Sequence, residues 1–235
     1  MMNLKGKNII VTGGSLGIGK ETAKQLKAKG ANILITGRSE TRLQTALRGM
    51  DVQSLAFDIG DLDEVEANAQ RCLALLDNKV DALINNAGIG ISRPIEKLTK
   101  GDFLSVFKVN VFGLSLFTKA IIPQMKAQKK GSIVNIGSSA SLKGYKNGSV
   151  YASSKFAVRC LTQCWQAELR PYNIRVSQVN PSEVTTAFGN IERIEHDEVE
   201  NKLRSKEIAH AIIAALEMDD RGFIHELNIW ATNPF

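Results

Sequence analysis

Tyr151 and Lys155 stand four residues apart in the run Tyr-Ala-Ser-Ser-Lys. On a helix that spacing puts both side chains on one face, where they can meet at a single site. A phenol holds its proton up to about pH 10, which makes it a poor partner for neutral proton transfer. An ammonium about 4 Å away, at an effective dielectric near 20, stabilises the phenolate by roughly 4 kcal/mol, or about three pH units. The pair can therefore trade a proton with an oxygen atom. A tyrosine and a lysine at this spacing are equally a common pair on a helix surface, so the spacing needs support from elsewhere.

The second chemical feature is the run Thr12-Gly13-Gly14-Ser15-Leu16-Gly17-Ile18-Gly19. Glycines let the backbone approach a ligand, and a helix starting here offers unpaired N–H groups and partial positive charge to a pyrophosphate. A tight strand-to-helix connection uses the same residues; the place after the first apolar run favours a dinucleotide. The second such run ends in Thr36-Gly37-Arg38-Ser39. In a dinucleotide fold an acid here marks NAD and a basic residue NADP. Arg38 can hold a 2'-phosphate through its guanidinium fork, and Gly37 brings no carboxylate to repel it. NADP(H) is the expected cofactor, the alternative being that Arg38 is a solvated loop residue.

These features need elements to carry them. Short β-branched runs predict strands over 8–11, 32–36, 52–57, 82–85, 132–136, 174–179 and 223–230. Helical periodicity lies between them, over 17–29, 42–47, 62–76, 102–126, 152–169 and 205–217, the fourth interrupted by Gly113 and Pro123. Parallel strands need long crossovers, so the alternation predicts a doubly wound α/β fold with a seven-stranded parallel sheet and helices on both faces. Ligands bind at the carboxyl ends of such strands. The chain reads as one domain over 1–235, with a charged, acid-rich segment at 191–200 inside a short substrate flap at 187–204.

Composition excludes several classes. The 235 residues are 43% hydrophobic and 23% charged, a globular balance. The net charge of +6 comes from scattered basic residues with only short runs such as Lys129-Lys130, which argues against nucleic acid and for anionic small ligands. Cys72, Cys160 and Cys164 are too few for a disulfide framework or a zinc site, so buried, reduced thiols and no metal are expected. No secretory leader opens the sequence, and no apolar run approaches the roughly 20 residues of a membrane span. The expectation is a cytoplasmic protein with no membrane contact. His196, His210 and His225 all fall late and no Gly-x-Ser-x-Gly elbow occurs, which disfavours a hydrolase.

Taken in order, Thr12-Gly13-x-x-x-Gly17-x-Gly19, Asn85-Asn86-Ala87-Gly88, Asn110, Ser138 and Tyr151-x-x-x-Lys155 span most of the chain. This set resembles the short-chain dehydrogenase/reductase family, and is similar to its 3-oxoacyl-[acyl-carrier-protein] reductases. The resemblance implies hydride transfer between NADP(H) and a carbonyl or alcohol carbon. Tyr151 and Lys155 become the proton-handling pair, with Lys155 also on the nicotinamide ribose. Ser138, beside Ser139, becomes the hydroxyl facing the substrate oxygen. Asn110, polar within the apolar run 106–117, becomes a relay residue holding a water beside the lysine; a buried asparagine at a kink near Gly113 is compatible with that.

The same resemblance places Ser15, Leu16, Gly17 and Ile18 on the phosphates and Asp58 and Ile59 on the adenine. An aspartate at a strand end is just as often a helix cap. Asn86, Ala87 and Gly88 form the wall beside the nicotinamide ribose, and Pro181, Val184 and Thr186 meet its carboxamide, with Ser182 where the family has glycine. Leu16 stands where many NADP-using relatives have a second basic residue. The substrates implied are 3-oxoacyl thioesters, small ketones, sugars or polyols in an open pocket. Lys126, Lys129 and Lys130 could attract an acyl carrier protein. A homodimer or homotetramer through 103–126 and 152–169 is implied as well. A cofactor-binding regulator without chemistry is the alternative, against which stand the serine, tyrosine and lysine.

Overall fold

Alternate residues of the central strands face opposite sides of the sheet, and on both sides they are apolar. In β1 (Asn8–Thr12), Ile9 and Val11 enter one core and Ile10 the other. In β4 (Ala82–Asn85), Ala82 and Ile84 join the first core and Leu83 the second. Such strands need cover on both faces, which parallel pairing with helical crossovers supplies. The computed structural model describes residues 3–189 and 197–233 and has this arrangement.

The remaining strands are β2 (Asn32–Gly37), β3 (Gln53–Ala56), β5 (Gly131–Ile136), β6 (Ile174–Pro181) and β7 (Glu226–Ile229). All pairs are parallel, in the order β3-β2-β1-β4-β5-β6-β7. Strand order reverses between β1 and β4, and the crevice at that switch point opens at the carboxyl ends. Helices α1 (Gly17–Ala28), α2 (Glu40–Leu47) and α7 (Ser205–Glu217) send Leu26, Leu43 and Ile212 into one core. Helices α3 (Val65–Leu75) and α5 (Leu114–Gln128) fill the other with Leu73, Phe117 and Ile121, and α6 (Ser149–Leu169) adds Leu169.

Three expectations need correction. Helix α4 (Lys100–Phe107) runs through a wide π turn, Lys108–Gly113, directly into α5, and Pro123 sits inside α5 without ending it. The continuous stretch Lys100–Gln128 reaches the length and apolarity of a membrane span after all. Its apolarity has a local use: Val106, Phe117, Ile121 and Met125 are buried in the protein interior. Lastly, only Cys72 is a buried thiol; Cys160 and Cys164 lie exposed on α6, because their face of the helix turns away from the sheet.

The amino edge of the sheet is cross-braced. Lys7 Nζ pairs with Asp81 Oδ1 at 2.8 Å, and Gln128 donates to Val80 O at 2.9 Å while accepting from Val80 N at 3.2 Å. Arg175 donates to Leu216 O, Met218 O and Ser132 Oγ. Lys130 pairs with Asp220 at 2.5 Å, and Lys126 lies over the Tyr172 ring at 4.2 Å. Lys126, Lys129 and Lys130 thus occupy the edge where β5 begins, whereas the crevice opens where it ends. A six-residue strand separates the two by about 20 Å. The expected carrier-protein contact through these lysines does not flank the pocket mouth.

Candidate active site

The glycine loop links β1 to α1, and backbone rather than side chains shapes it. Gly13 and Gly17 have φ of +66° and +53°, a region costly for residues with a Cβ. A Cβ on Gly19 would lie 2.5 Å from Asn86 Nδ2 and overlap Gly13 O, so the chain folds over itself only with glycine there. Thr12 is buried; its Oγ1 accepts from Asn86 N and Ala87 N, both at 3.1 Å. Asn86 Nδ2 donates to Thr12 O and Gly13 O at 3.0 Å each. The loop is thereby clamped to the end of β4. This concave backbone before the start of α1 has the shape and polarity a pyrophosphate needs, so a dinucleotide fits.

One pocket runs from this loop in two directions. Toward the β2 end it is lined by Arg38, Ser39, Asp58 and Ile59, and also by Arg42, which sequence reasoning missed. Ser39 caps α2, its Oγ accepting from Arg42 N at 3.3 Å, and this cap brings the Arg42 side chain to the wall. A basic residue four positions after Arg38 on a helix start was the available signal. Arg42 supplies the second cation that Leu16 does not. Asp58 Oδ1 accepts from Gly60 N at 2.8 Å, so its carboxylate does serve the local turn while the residue lines the pocket.

In the other direction lie Ser138, Tyr151 and Lys155. Ser138 follows β5 and caps a short 3-10 turn, Ser139–Ser141, its Oγ accepting from Ala140 N at 3.1 Å. That hydroxyl and the Tyr151 phenol line the same stretch of the pocket, and the serine acts to lower the phenol's pKa. Lys155 is buried, its Nζ 5.7 Å from the Tyr151 ring centre and donating to Ile136 O at 2.7 Å. Asn110 sits in the π turn. Its Oδ1 accepts from Ile89 N at 2.9 Å, and its Nδ2 donates to Ile89 O at 2.9 Å and Ser154 Oγ at 3.0 Å. The wide turn frees this side chain to pin the strand-following loop beside Lys155.

Burial, rather than the lysine, dominates the protonation of this end. It pushes the Tyr151 phenol up to about 12, against the opposing effect of Ser138, and pulls the Lys155 ammonium down to about 8. The expectation of a phenol acidified by its neighbour is thus corrected. Burial penalises the charged form of both groups, and the ammonium is held by a carbonyl rather than by the phenol oxygen. At neutral pH the phenol is a protonated donor, the form that carbonyl reduction requires.

Of the remaining expected residues, Ser15, Leu16, Ile18, Ala87, Gly88, Pro181, Val184 and Thr186 all line the pocket. Thr12, Gly19 and Asn110 do not; they hold the residues that do. The flap is only partly within view, since 190–196, with His196, lie outside the described residues. Its first part departs from an open, charged pocket. Phe188 packs on Tyr151 with ring centres 5.4 Å apart, and Thr186 Oγ1 accepts from Phe188 N at 3.2 Å. Sequence reasoning missed Phe188, an aromatic residue in a polar stretch. Among the described residues no group of metal-ligating side chains occurs.

Comparison with known proteins agrees with this geometry. The short chain dehydrogenase profile matches residues 7–196. Human L-xylulose reductase is 34% identical over 188 residues, 79% of this chain and 75% of its own. An alcohol dehydrogenase from the archaeon Thermococcus sibiricus, solved with 5-hydroxy-NADP, superposes with a TM-score of 0.89 at 27% identity, over 97% of each chain. Levodione reductase superposes with a TM-score of 0.85 at 27% identity, again over 97% of each chain. The chain belongs to the short-chain dehydrogenase family, oxidoreductases acting on CH–OH and C=O groups.

Proposed function

We propose that this enzyme reduces the carbonyl of a small, polar ketone with NADPH, or runs the reverse oxidation. One observation carries the reading: a single pocket joins two arginines, Arg38 and Arg42, at one end to Ser138, Tyr151 and Lys155 at the other. Arg38 and Arg42 would hold the 2'-phosphate, and the glycine loop with the start of α1 the pyrophosphate. Asn86, Ala87 and Gly88 would border the nicotinamide ribose, which Lys155 would contact; Pro181, Val184 and Thr186 would meet the carboxamide. When bound, NADPH supplies the hydride. Tyr151 donates its proton to the carbonyl oxygen while Ser138 hydrogen-bonds the same oxygen, yielding the secondary alcohol. In oxidation the phenol would first lose its proton to solvent, which the positive charge of NADP+ would favour, and the phenolate would then take the proton of the alcohol.

The substrate class follows from Phe188. Resting on Tyr151 and facing Gly90, it narrows the entrance toward compact substrates such as ketoses and small diketones. The human relative named for L-xylulose fits that class. A 3-oxoacyl thioester is the second arm of the test rather than part of the proposal, since the lysines expected to receive its carrier lie at the far edge. Assembly is proposed through α4–α5 and α6, where Phe103, Leu104, Phe112 and Phe156 are exposed on the single chain. To test the function, NADPH absorbance is followed with a ketose, 2,3-butanedione and an acetoacetyl thioester. Turnover of the first two with NADPH over NADH is expected; no oxidation with any of them, or preference for NADH, defeats the reading.

A further inference from the structure

Buried amides in the strands beside β5 have no place in the chemistry above. Asn180 in β6 is fully buried, and its Oδ1 accepts from the backbone N–H of Ser138 at 3.2 Å. That N–H is shared with Ser141 Oγ at 3.1 Å. Asn180 is itself fixed from three directions. Gln178 Nε2 donates to its Oδ1 at 2.6 Å, while its Nδ2 donates to Glu226 Oε1 at 3.1 Å and Asn228 Oδ1 at 2.9 Å. The other carboxylate oxygen of Glu226 accepts from Arg159 Nε at 3.1 Å. Arg159 lies on α6, one turn beyond Lys155.

The bonds therefore form a closed frame. Helix α6 carries Tyr151, Lys155 and Arg159; Arg159 ties it to β7, Glu226 ties β7 to β6, and Asn180 ties β6 to Ser138. Lys155 closes the frame by donating to Ile136 O, two residues before Ser138. Space confirms how tightly it is drawn: a Cβ on Gly137 would overlap Asn180 Oδ1 and lie 2.5 Å from Gln178 Nε2. A buried amide such as Asn180 is costly unless its bonds are made, so its bonds to Ser138, Gln178, Glu226 and Asn228 favour one geometry.

We propose that Asn180 is a positioning residue, held by Glu226 and Arg159, that sets the Ser138 hydroxyl against the Tyr151 phenol. The proposal rests on the proton-transfer reading of Ser138 and Tyr151. Misplacing reacting groups by about 1 Å costs up to roughly a hundred-fold in rate. In Asn180→Leu the Ser138 N–H keeps only Ser141. In Asn180→Asp a carboxylate faces that of Glu226, and adding Glu226→Gln reverses donor and acceptor so that both ends of the bridge are satisfied again.

The test measures kcat with 2,3-butanedione and NADPH, KM for NADPH, the far-UV spectrum and the Ser138 amide proton resonance. Asn180→Leu and Asn180→Asp are expected to lose roughly ten- to a hundred-fold in kcat with KM for NADPH near wild type. Asn180→Asp/Glu226→Gln is expected to regain most of the loss. The Ser138 amide proton moves upfield in Asn180→Leu and returns in the double variant. Folded Asn180→Leu with wild-type kcat, or a double variant no better than Asn180→Asp, overturns the proposal. If the wild-type enzyme reduces none of the ketones, the proposed function has failed separately. The amide resonance then decides: movement and return support the frame, and an unmoved resonance sinks it.

Discussion

The two ends of the pocket are built by opposite means. At the end proposed for the nucleotide the lining is largely glycine backbone, with Arg38 and Arg42 exposed to solvent. At the other end the proposed working groups are side chains, Lys155 buried and Tyr151 half-buried, with Tyr151 driven up to about 12 and Lys155 down to about 8. A fixed charge such as a phosphate is recognised well enough from the surface. A proton that must move needs a site where solvent does not set the equilibrium. Substitutions at the two ends should therefore fail differently, and four of them test that contrast.

Tyr151→Phe is expected to have the largest effect, lowering kcat by about a thousand-fold while leaving the NADPH dissociation constant unchanged. Stopped-flow turnover and fluorescence titration separate the two quantities; turnover near wild type would end the proton-donor role. Lys155→Met comes next, and its effect is on stability. The buried ammonium is held at about 8 in the folded chain against 10.5 in the unfolded one, so between those values the unfolded chain binds more protons. Wild-type stability thus rises with pH across that window. At pH 7 the methionine variant should be more stable by about 2 kcal/mol, after allowing for the lost bond to Ile136 O, and the gain should fade from pH 8 to 10.5. Calorimetry at pH 7 and 9.5 checks the sign; a lower Tm at pH 7 contradicts it. Above pH 10 the raised phenol works the other way, since its neutral form is the one the fold favours.

At the nucleotide end, Arg38→Ala should raise KM for NADPH roughly ten-fold and leave KM for NADH alone, because it removes only charge-assisted bonds to the 2'-phosphate. Equal loss with both cofactors would place Arg38 in folding rather than recognition. The smallest change is expected from Phe188→Ala. It should raise KM for a compact ketone about three-fold, admit bulkier ketones and leave NADPH binding as it was. A variant indifferent to ketone size means that the ring does not gate the pocket.

Much of this was legible in the sequence because strand alternation, glycine spacing and the Tyr-x-x-x-Lys pair are local patterns. Seven parallel strands joined by helices follow from periodicity and crossover length, and strand ends locate the ligand crevice. Arg42 escaped because its place depends on how Ser39 caps α2, and Phe188 because the segment after β6 folds back onto Tyr151 of α6, far earlier in the sequence. The phenol was misjudged for a related reason: spacing predicts a neighbouring charge, but only the packed interior sets how much water remains. Asn180 stands just before Pro181 with no local pattern to mark it, and its bond to Ser138 appears only once β5 and β6 are in register.

The bracing at the amino edge has a practical side for protein engineering. Lys7–Asp81, the Gln128–Val80 pair and the Arg175 cluster knit the sheet at the end remote from the pocket. Segments grafted from other members of the family after β4 or β6 would therefore alter ligand preference while leaving those ties intact. A chimera library confined to the carboxyl edge should keep a high proportion of folded members, whereas the same number of exchanges at the amino edge should not.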